Sequence, residues 1–166
     1  MIENKIMSLP EAQIWRKNLA AEEKELSFTN GCFDIMHAGH ANYLQRASEQ
    51  GDFLVVGVNS DESLRKLKGP TRPIVQERYR AEMLAALACV DAVVIFNTDN
   101  SCSLIEALRP NIYVKGGDYT LDTINQDEAD LIRKYRIDAR FLSFVEGLST
   151  SKIVEKIIED FKAGLK

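Results

Sequence analysis

The sequence predicts an α/β fold: a doubly wound, five-stranded parallel sheet with helices on both faces, built as a single domain over residues 1–166. Three observations carry that expectation. Short β-rich apolar runs alternate with stretches of helical periodicity, which implies parallel strands joined by right-handed helical crossovers. The length of 166 residues suits one domain and buries roughly 68–70% of its extended surface, so no disulfide or metal staple is needed. No internal repeat, low-complexity tract or Pro/Gly-rich linker divides the chain.

The elements follow in order. Residues 1–24 form a peripheral N-terminal segment, with Pro10 suited to a first helical turn and Trp15 as the packing residue. Leu26 to Thr29 reads as a short strand running into Asn30-Gly31, a pair able to take positive φ and turn backbone N–H groups toward a ligand. A helix is predicted from about Gly39 to Gln50, with Tyr43, Leu44 and Ala47 on one face. Phe53 to Val58 is nearly all apolar, as a strand covered on both sides requires. Ser60 or Asp61 caps a short helix that ends before Gly69-Pro70.

A stronger helix is predicted over Gln76 to Ala88, with Tyr79, Met83, Leu84 and Leu87 at helical spacing. Ala92 to Phe96 is a second buried-type strand. Asn100 or Ser101 starts a helix that Arg109-Pro110 stops, because proline disfavours helical geometry in its predecessor. Asn111 to Lys115 is a strand, Asp127 to Tyr135 a helix and Ala139 to Ser143 the last strand. A closing helix from about Ser149 is expected to bury Ile153, Val154, Ile157, Ile158 and Phe161.

Composition excludes several classes. Apolar and charged fractions of 45% and 28% argue against disorder, and a net charge of −4 gives no general attraction for nucleic acid or anionic lipid. Any phosphate site is therefore local. No run approaches the ~20 apolar residues that span a bilayer, so no membrane partner is expected. The first seven residues lack a secretory apolar core. Cys32, Cys89 and Cys102 form no CxxC pair, which fits a reducing cytoplasm. Oligomeric state is not fixed by sequence, and a homo-oligomer stays open.

In doubly wound sheets ligands sit beyond the carboxyl ends of the strands, which directs attention to the segments after Thr29, Val58, Val114 and Phe144. The first is the most informative. In Thr29-Asn30-Gly31-Cys32-Phe33-Asp34-Ile35-Met36-His37-Ala38-Gly39-His40, two histidines three residues apart share one face of a helix's first turn. Free amides and the positive dipole end favour an anion there, and imidazoles add directed donors. Gly39 lets a phosphate approach the backbone. The arrangement suits a triphosphate undergoing in-line displacement. Two other readings stay open: a cap-and-turn whose histidines satisfy backbone carbonyls, and a metal site from Cys32, His37 and His40, although that spacing lacks a second ligand pair.

Gly31-Cys32-Phe33-Asp34 followed by His37-Ala38-Gly39-His40 resembles the HxGH nucleotidyltransferase superfamily, a cytidylyltransferase-like group with a Rossmann-like fold. The string TNGCFDIMHAGHANYLQRA is similar to the branch that makes ADP-heptose from ATP and D-glycero-β-D-manno-heptose 1-phosphate. Further matching segments lie in order: VNSDESLRKLKGPTRPI, LAALACVD, VKGGDY and FVEGLSTSKI. The resemblance thus covers about Leu26 to the end.

It implies that His37 and His40 contact the ATP phosphates, with Lys68 and Lys115 as further catalytic cations. Thr29, Asn30, Gly31, Cys32, Phe33, Arg80, Gly116 and Asp118 would bind the nucleotide. Glu146, Gly147, Ser149 and Thr150 would complete that seat at a helix start. Arg72, Gly117 and Tyr119 are the implied sugar-phosphate residues. Mg²⁺ would be held mainly by the ATP phosphates, without a protein metal site. ATP and a sugar 1-phosphate are the implied partners, with a separate heptose kinase upstream and lipopolysaccharide core biosynthesis downstream.

Local readings compete at several positions. Arg80 also reads as a helix-surface arginine paired with Glu77 or Glu82, Asp118 as an ordinary turn former, Lys68 as a solvated loop lysine, and Ser149 or Thr150 as a plain N-cap. The chain departs from the family at Tyr135-Arg136-Ile137-Asp138, where a glycine pair is usual, and over Ile124 to Asp130, which lacks a glycine. Both lie where the sugar pocket is expected. The rival reactions are cytidylyl transfer to glycerol 3-phosphate or another polyol phosphate, and nucleotide binding without catalysis. Phe144-Val145, where cytidylyltransferases usually carry Arg-Thr, favours ATP.

Overall fold

The computed structural model describes residues 2–143 and 149–164. Five parallel strands form one sheet in the order β3-β2-β1-β4-β5: β1 Leu26–Gly31, β2 Phe53–Asn59, β3 Ala92–Phe96, β4 Ile112–Gly116 and β5 Asp138–Leu142. This is the doubly wound, Rossmann-like α/β architecture expected from the alternation. The chain winds outward from β1 through β2 to β3, then returns to place β4 on the other side of β1. The crevice between β1 and β4 is therefore the switch point where such sheets bind ligands.

Alternation along the strands sends side chains to two separate cores. On one face α1 (Leu9–Ala21), α5 (Cys102–Leu108) and α6 (Gln126–Tyr135) pack Ala12, Leu104, Ile105, Leu108 and Ile132 over Phe28, Val55 and Tyr113. On the other, α2 (Ala38–Ser48) and α4 (Glu77–Ala85) pack Tyr43, Leu44, Ala81 and Leu84 over Leu54, Val56 and Val58. Gly57 lies under α5 because a Cβ there would come 2.7 Å from Leu104 Cδ1 and 3.3 Å from the Phe28 ring.

Two features of the periphery secure the sheet. Ser8 and Glu11 form a capping box at the start of α1, and Trp15 meets Phe53 edge-on at 5.9 Å. Before it, a turn of 3₁₀ helix (Ile2–Lys5) leads to a bridge between Ile6 and Val93, a pairing that the polar look of this segment did not announce. α3 (Asp61–Lys68) starts on Ser60, whose side chain accepts from the Ser63 N–H, and ends at Gly69 with φ 96°.

Three local expectations need correction. The positive φ after β1 belongs to Phe33 (φ 48°), while Asn30 and Gly31 remain in the strand, because the ladder to β2 extends through Gly31. α4 ends at Ala85 rather than Ala88, and the Leu87 and Val90 carbonyls beyond it accept from Lys5 Nζ at 3.1 and 2.6 Å. Its spacing residues Tyr79 and Met83 are exposed, and Arg80, Ala81, Leu84 and Ala85 form the buried face.

The closing helix α7 (Thr150–Lys162) forms as expected but buries none of its described residues: Ile157, Ile158 and Phe161 are exposed, Phe161 at 82%. Periodicity marks an apolar stripe without saying that a partner surface lies against it. Among the described residues no helix is long and apolar enough to cross a membrane.

Candidate active site

The β1 strand ends on a cavity of about 530 Å³ at the crevice between β1 and β4. Its walls bring together Asn30, Gly31, Cys32 and Phe33 from β1 and its loop, His40 from α2, and Lys68 and Arg72 from the end of α3 and the segment beyond it. Lys115, Gly116 and Tyr119 come from β4 and its loop, and Thr150 and Ser151 from the first turn of α7. Segments far apart in sequence thus meet at one end of the sheet.

The two histidines form a stacked pair. Their ring centroids lie 3.9 Å apart with planes at 28°, and the Phe33 ring meets His40 edge-on at 5.4 Å. Gly31 permits this, since a Cβ there would sit 2.9 Å from the Phe33 ring. His37 is the N-cap of α2: its Nδ1 accepts from the Gly39 N–H at 3.1 Å, so Nε2 carries the proton of the neutral ring. That bond also occupies the Gly39 amide, which the sequence alone leaves available for phosphate. The capping reading is right for His37, although its ring accepts an N–H and does not donate to a carbonyl.

His40 differs. Its Nδ1 is buried with no hydrogen-bond partner among the described residues. Burial, then the charges of His37 and Lys68, pull its pKa down to about 4, so the ring is neutral at physiological pH. An unpaired buried ring nitrogen beside a cation-lined cavity is a poor structural element and a ready ligand for an incoming group.

Lys115 Nζ donates to Asn30 Oδ1 at 2.9 Å and joins β4 to β1 across the crevice. Burial lowers its pKa from the ordinary lysine range, against the raising influence of Glu128. Cys32 is half-buried, and burial raises its thiol pKa, so it stands as a protonated thiol with its Sγ 3.7 Å from Asn59 Oδ1. Among the described residues no three His, Cys, Asp or Glu side chains converge to hold a metal ion.

The remaining expected residues fall in distinct places. Thr29 is fully buried, with its hydroxyl 2.6 Å from Tyr43 Oη beneath α2, away from the cavity walls. Gly117 (φ 115°) donates its N–H to the Leu142 carbonyl, and Asp118 is exposed. Ser149 caps α7 by accepting from the Lys152 N–H, and Thr150 Oγ1 donates to the Ile35 carbonyl, tying α7 to the histidine loop. Glu146 and Gly147, with Phe144 and Val145, lie outside the described residues.

Arg80 corrects the surface reading. Its side chain is fully buried, and the guanidinium donates to the Val75 carbonyl at 2.9 Å, the Cys32 carbonyl at 2.6 Å and Asp61 Oδ1 at 2.8 Å. Glu77 instead takes part in a reciprocal pair with Asp61, its carboxylate accepting from the Asp61 N–H. Arg80 therefore holds the strand-end loop in position from below.

Sequence reasoning assigned no role to Asp34, although the structure makes it a second clamp on the same loop. Its buried carboxylate accepts from Arg72 Nη1 at 2.7 Å and from the Ile74 and Val75 N–H groups at 2.8 and 2.9 Å. Arg72 lines the cavity with its Nη1 held by Asp34, alongside the cavity lysines Lys68 and Lys115. No spacing signal links residues 34 and 74, so only the folded chain reveals the contact.

Burial alone would raise the Asp34 pKa, but the Val75 N–H, Arg72 and the Ile74 N–H outweigh it and hold the carboxyl below the ordinary aspartate range. A carboxylate held low in the folded state adds stability above its unfolded pKa, and that share is lost as pH falls through the folded value. Asp34→Asn is therefore expected to melt at a lower temperature at neutral pH. Its further drop on acidification below about pH 4 should be shallower than that of the unsubstituted chain. Thermal melts across that range check this; parallel curves would contradict it.

Comparison with known proteins agrees with this architecture. The family described as Cytidylyltransferase-like matches residues 28–156. The chain is 49% identical over 141 residues to the bifunctional protein HldE of Syntrophotalea carbinolica, and 50% identical over 142 residues to that of Helicobacter pylori, covering 85% of this chain in each case. It spans only 28–29% of the length of those relatives. Among solved structures, the lipopolysaccharide core biosynthesis protein of Thermoplasma volcanium superposes with a TM-score of 0.60 at 27% identity, covering 74% of this chain and 97% of that one. The pantoate-beta-alanine ligase of Francisella tularensis shares the fold alone, with a TM-score of 0.59 at 14% identity over 95% of this chain and 78% of its own. With a family match over residues 28–156 and relatives about half identical over 85% of its length, the chain belongs to the cytidylyltransferase-like family.

Proposed function

We propose that the chain works as one nucleotidyltransferase domain that moves AMP from ATP to D-glycero-β-D-manno-heptose 1-phosphate, yielding ADP-heptose and pyrophosphate. The observation that carries this reading is the first cavity, where His40, Lys68, Lys115 and the N-terminal ends of α2 and α7 face a common space. Helix N-termini and cations of this kind are suited to a polyphosphate. The identity to HldE proteins supports the heptose acceptor.

In the proposed step an acceptor phosphate oxygen attacks the α-phosphorus in line. The bond from that phosphorus to the β-bridging oxygen breaks, and pyrophosphate leaves with the electron pair. No protein nucleophile is required. His37 and His40 donate to phosphate oxygens while Lys68 and Lys115 offset the charge that builds, so catalysis is placement plus electrostatics. The backbone of residues 30–33, Gly116, Asp118 and the start of α7 seat the nucleotide. Thr29 and Arg80 support that seat from beneath.

With Asp34 saturated by Arg72 and two amides, the described residues offer no carboxylate cage. A Mg²⁺ ion, which keeps its waters and prefers phosphate oxygens, would ride on the triphosphate and neutralise it there. The heptose phosphate would come from a kinase step, and the nucleotide sugar would feed lipopolysaccharide core synthesis in the cytoplasm.

Mass spectrometry of products from ATP or CTP with a panel of sugar 1-phosphates and glycerol 3-phosphate tests the assignment. An ADP-sugar formed from the heptose 1-phosphate, with pyrophosphate in equal amount, is the expected result. CDP-polyol formation would replace the reading with a cytidylyltransferase, and nucleotide binding without pyrophosphate release would overturn catalysis.

A further inference from the structure

The last helix stands apart from the rest of the fold. None of its residues joins either core. Among the described residues, its hydrogen bonding to the body of the domain is the Thr150 hydroxyl on the Ile35 carbonyl. Yet its sequence is built for burial. Ile153, Ile157 and Phe161 follow one another at intervals of four, Val154 and Ile158 widen the same stripe, and Ile157, Ile158 and Phe161 are exposed. A helix of 13 residues is marginal in water by itself and draws its stability from packing an apolar face. That face needs a cover which the described residues of this chain do not supply.

The charges beside the stripe say what kind of cover fits. Lys152, Lys156 and Lys162 balance Glu155, Glu159 and Asp160, so the helix carries no net side-chain charge. A helix that lies on a membrane surface is basic on its polar face, which argues against lipid. The order of the charges instead matches a copy of the same helix. At about 3.6 residues per turn, Lys156 and Asp160 run along one edge of the stripe, and Glu155 and Lys162 flank the other. Two such helices laid antiparallel, crossing near Ile158, set each Lys156 against the other copy's Asp160 and each Glu155 against its Lys162. Val154 then meets Phe161, and Ile157 meets Ile158, in both directions, as an isologous contact requires.

We propose that the apolar face of α7 pairs with α7 of a second copy, antiparallel about a two-fold axis, and makes the protein a homodimer. The helix is about 20 Å long, so the contact is small and the dimer reversible in the micromolar range. The pairing also bears on the active-site cavity, because Thr150 and Ser151 from the first turn of α7 line it. Covering α7 secures that turn in both copies.

Sedimentation equilibrium over a wide range of protein concentration should show the mass doubling as concentration rises, and Phe161→Glu should stay monomeric throughout. Two charge variants test the orientation. Lys156→Asp and Asp160→Lys each place like charges face to face across the axis, so each alone should self-associate about tenfold more weakly. An equimolar mixture of the two brings opposite charges together and should associate as tightly as the unsubstituted chain. Loss of the Lys156–Asp160 pair within the helix would not give that rescue, since both variants lack it. An unsubstituted chain that is monomeric at every concentration overturns the proposal. So does a dimer that survives Phe161→Glu, or a mixture that associates no better than either variant alone. Cosedimentation of the monomer with phosphatidylserine vesicles, abolished by Phe161→Glu, would assign the face to lipid and overturn it too. None of these readouts needs a substrate, so they stand apart from the transfer reaction.

Discussion

His40→Ala is expected to lower kcat by about 10²–10³ while changing ATP affinity no more than a few-fold. The effect is that large because the ring lines the cavity and, in the proposed transfer, faces the space where charge would develop in the transition state. The partition follows from timing, since a donor that strengthens only as the phosphorus is attacked contributes little to ground-state binding. His37 needs a different substitution, because its ring also caps α2. His37→Asn retains a capping side chain and removes the imidazole, so its loss of turnover reports on chemistry rather than on the helix. Steady-state kinetics with direct nucleotide binding measure both quantities. Equal losses in turnover and affinity would contradict the role.

Arg80→Met carries the largest expected cost in stability. The buried guanidinium answers the Asp61 carboxylate and the carbonyls of Cys32 and Val75, so methionine removes the donor of two carbonyls and leaves the Asp61 carboxylate with the Glu77 N–H but no cation. Breaking a buried pair from one side costs about 3–5 kcal/mol. For a chain of this size that corresponds to a fall in melting temperature of roughly 10 °C. Arg80→Lys should recover little, because one ammonium cannot reproduce the planar fork that reaches three acceptors. Urea denaturation compares the three proteins; an Arg80→Met variant within about 1 kcal/mol of the parent would refute the positioning role.

These two residues show how unevenly the chain can be read from sequence. The β2 run Phe53 to Val58 and the β3 run Ala92 to Phe96 were legible because a strand covered on both faces must be apolar throughout. The histidine pair was legible because its spacing, a helix start and a preceding strand coincide within twelve residues. The surface alternative for Arg80 fails because charge suggests solvent, and nothing in the local sequence says that Cys32, Asp61 and Val75 converge on it. Asp34 was missed for the same reason, its partners lying some forty residues away.

Conformational detail was hidden in another way. The turn after β1 uses Phe33 at φ 48°, a strained choice for an aromatic residue, although Gly31 stands two positions earlier. The Phe33 ring over Gly31 and against His40 explains the arrangement, and that contact exists only in three dimensions. Arg136, in a place where relatives were expected to carry glycine, likewise takes left-handed geometry at the end of α6 (φ 54°). On α7 the sequence showed a stripe and the structure shows it uncovered among the described residues.

The chain contains two histidines, His40 on the cavity wall and His37 stacked against it, so its imidazole NMR spectrum reports on this corner of the site. Titrating the free protein and its complex with a non-hydrolysable ATP analogue examines the central idea that this ring pair meets the phosphate tail. Both ring signals should shift as the analogue binds, and the His40 pKa should rise from about 4, since a nearby polyanion favours the protonated ring. Ring signals and a His40 pKa left unchanged at saturating analogue would contradict the account.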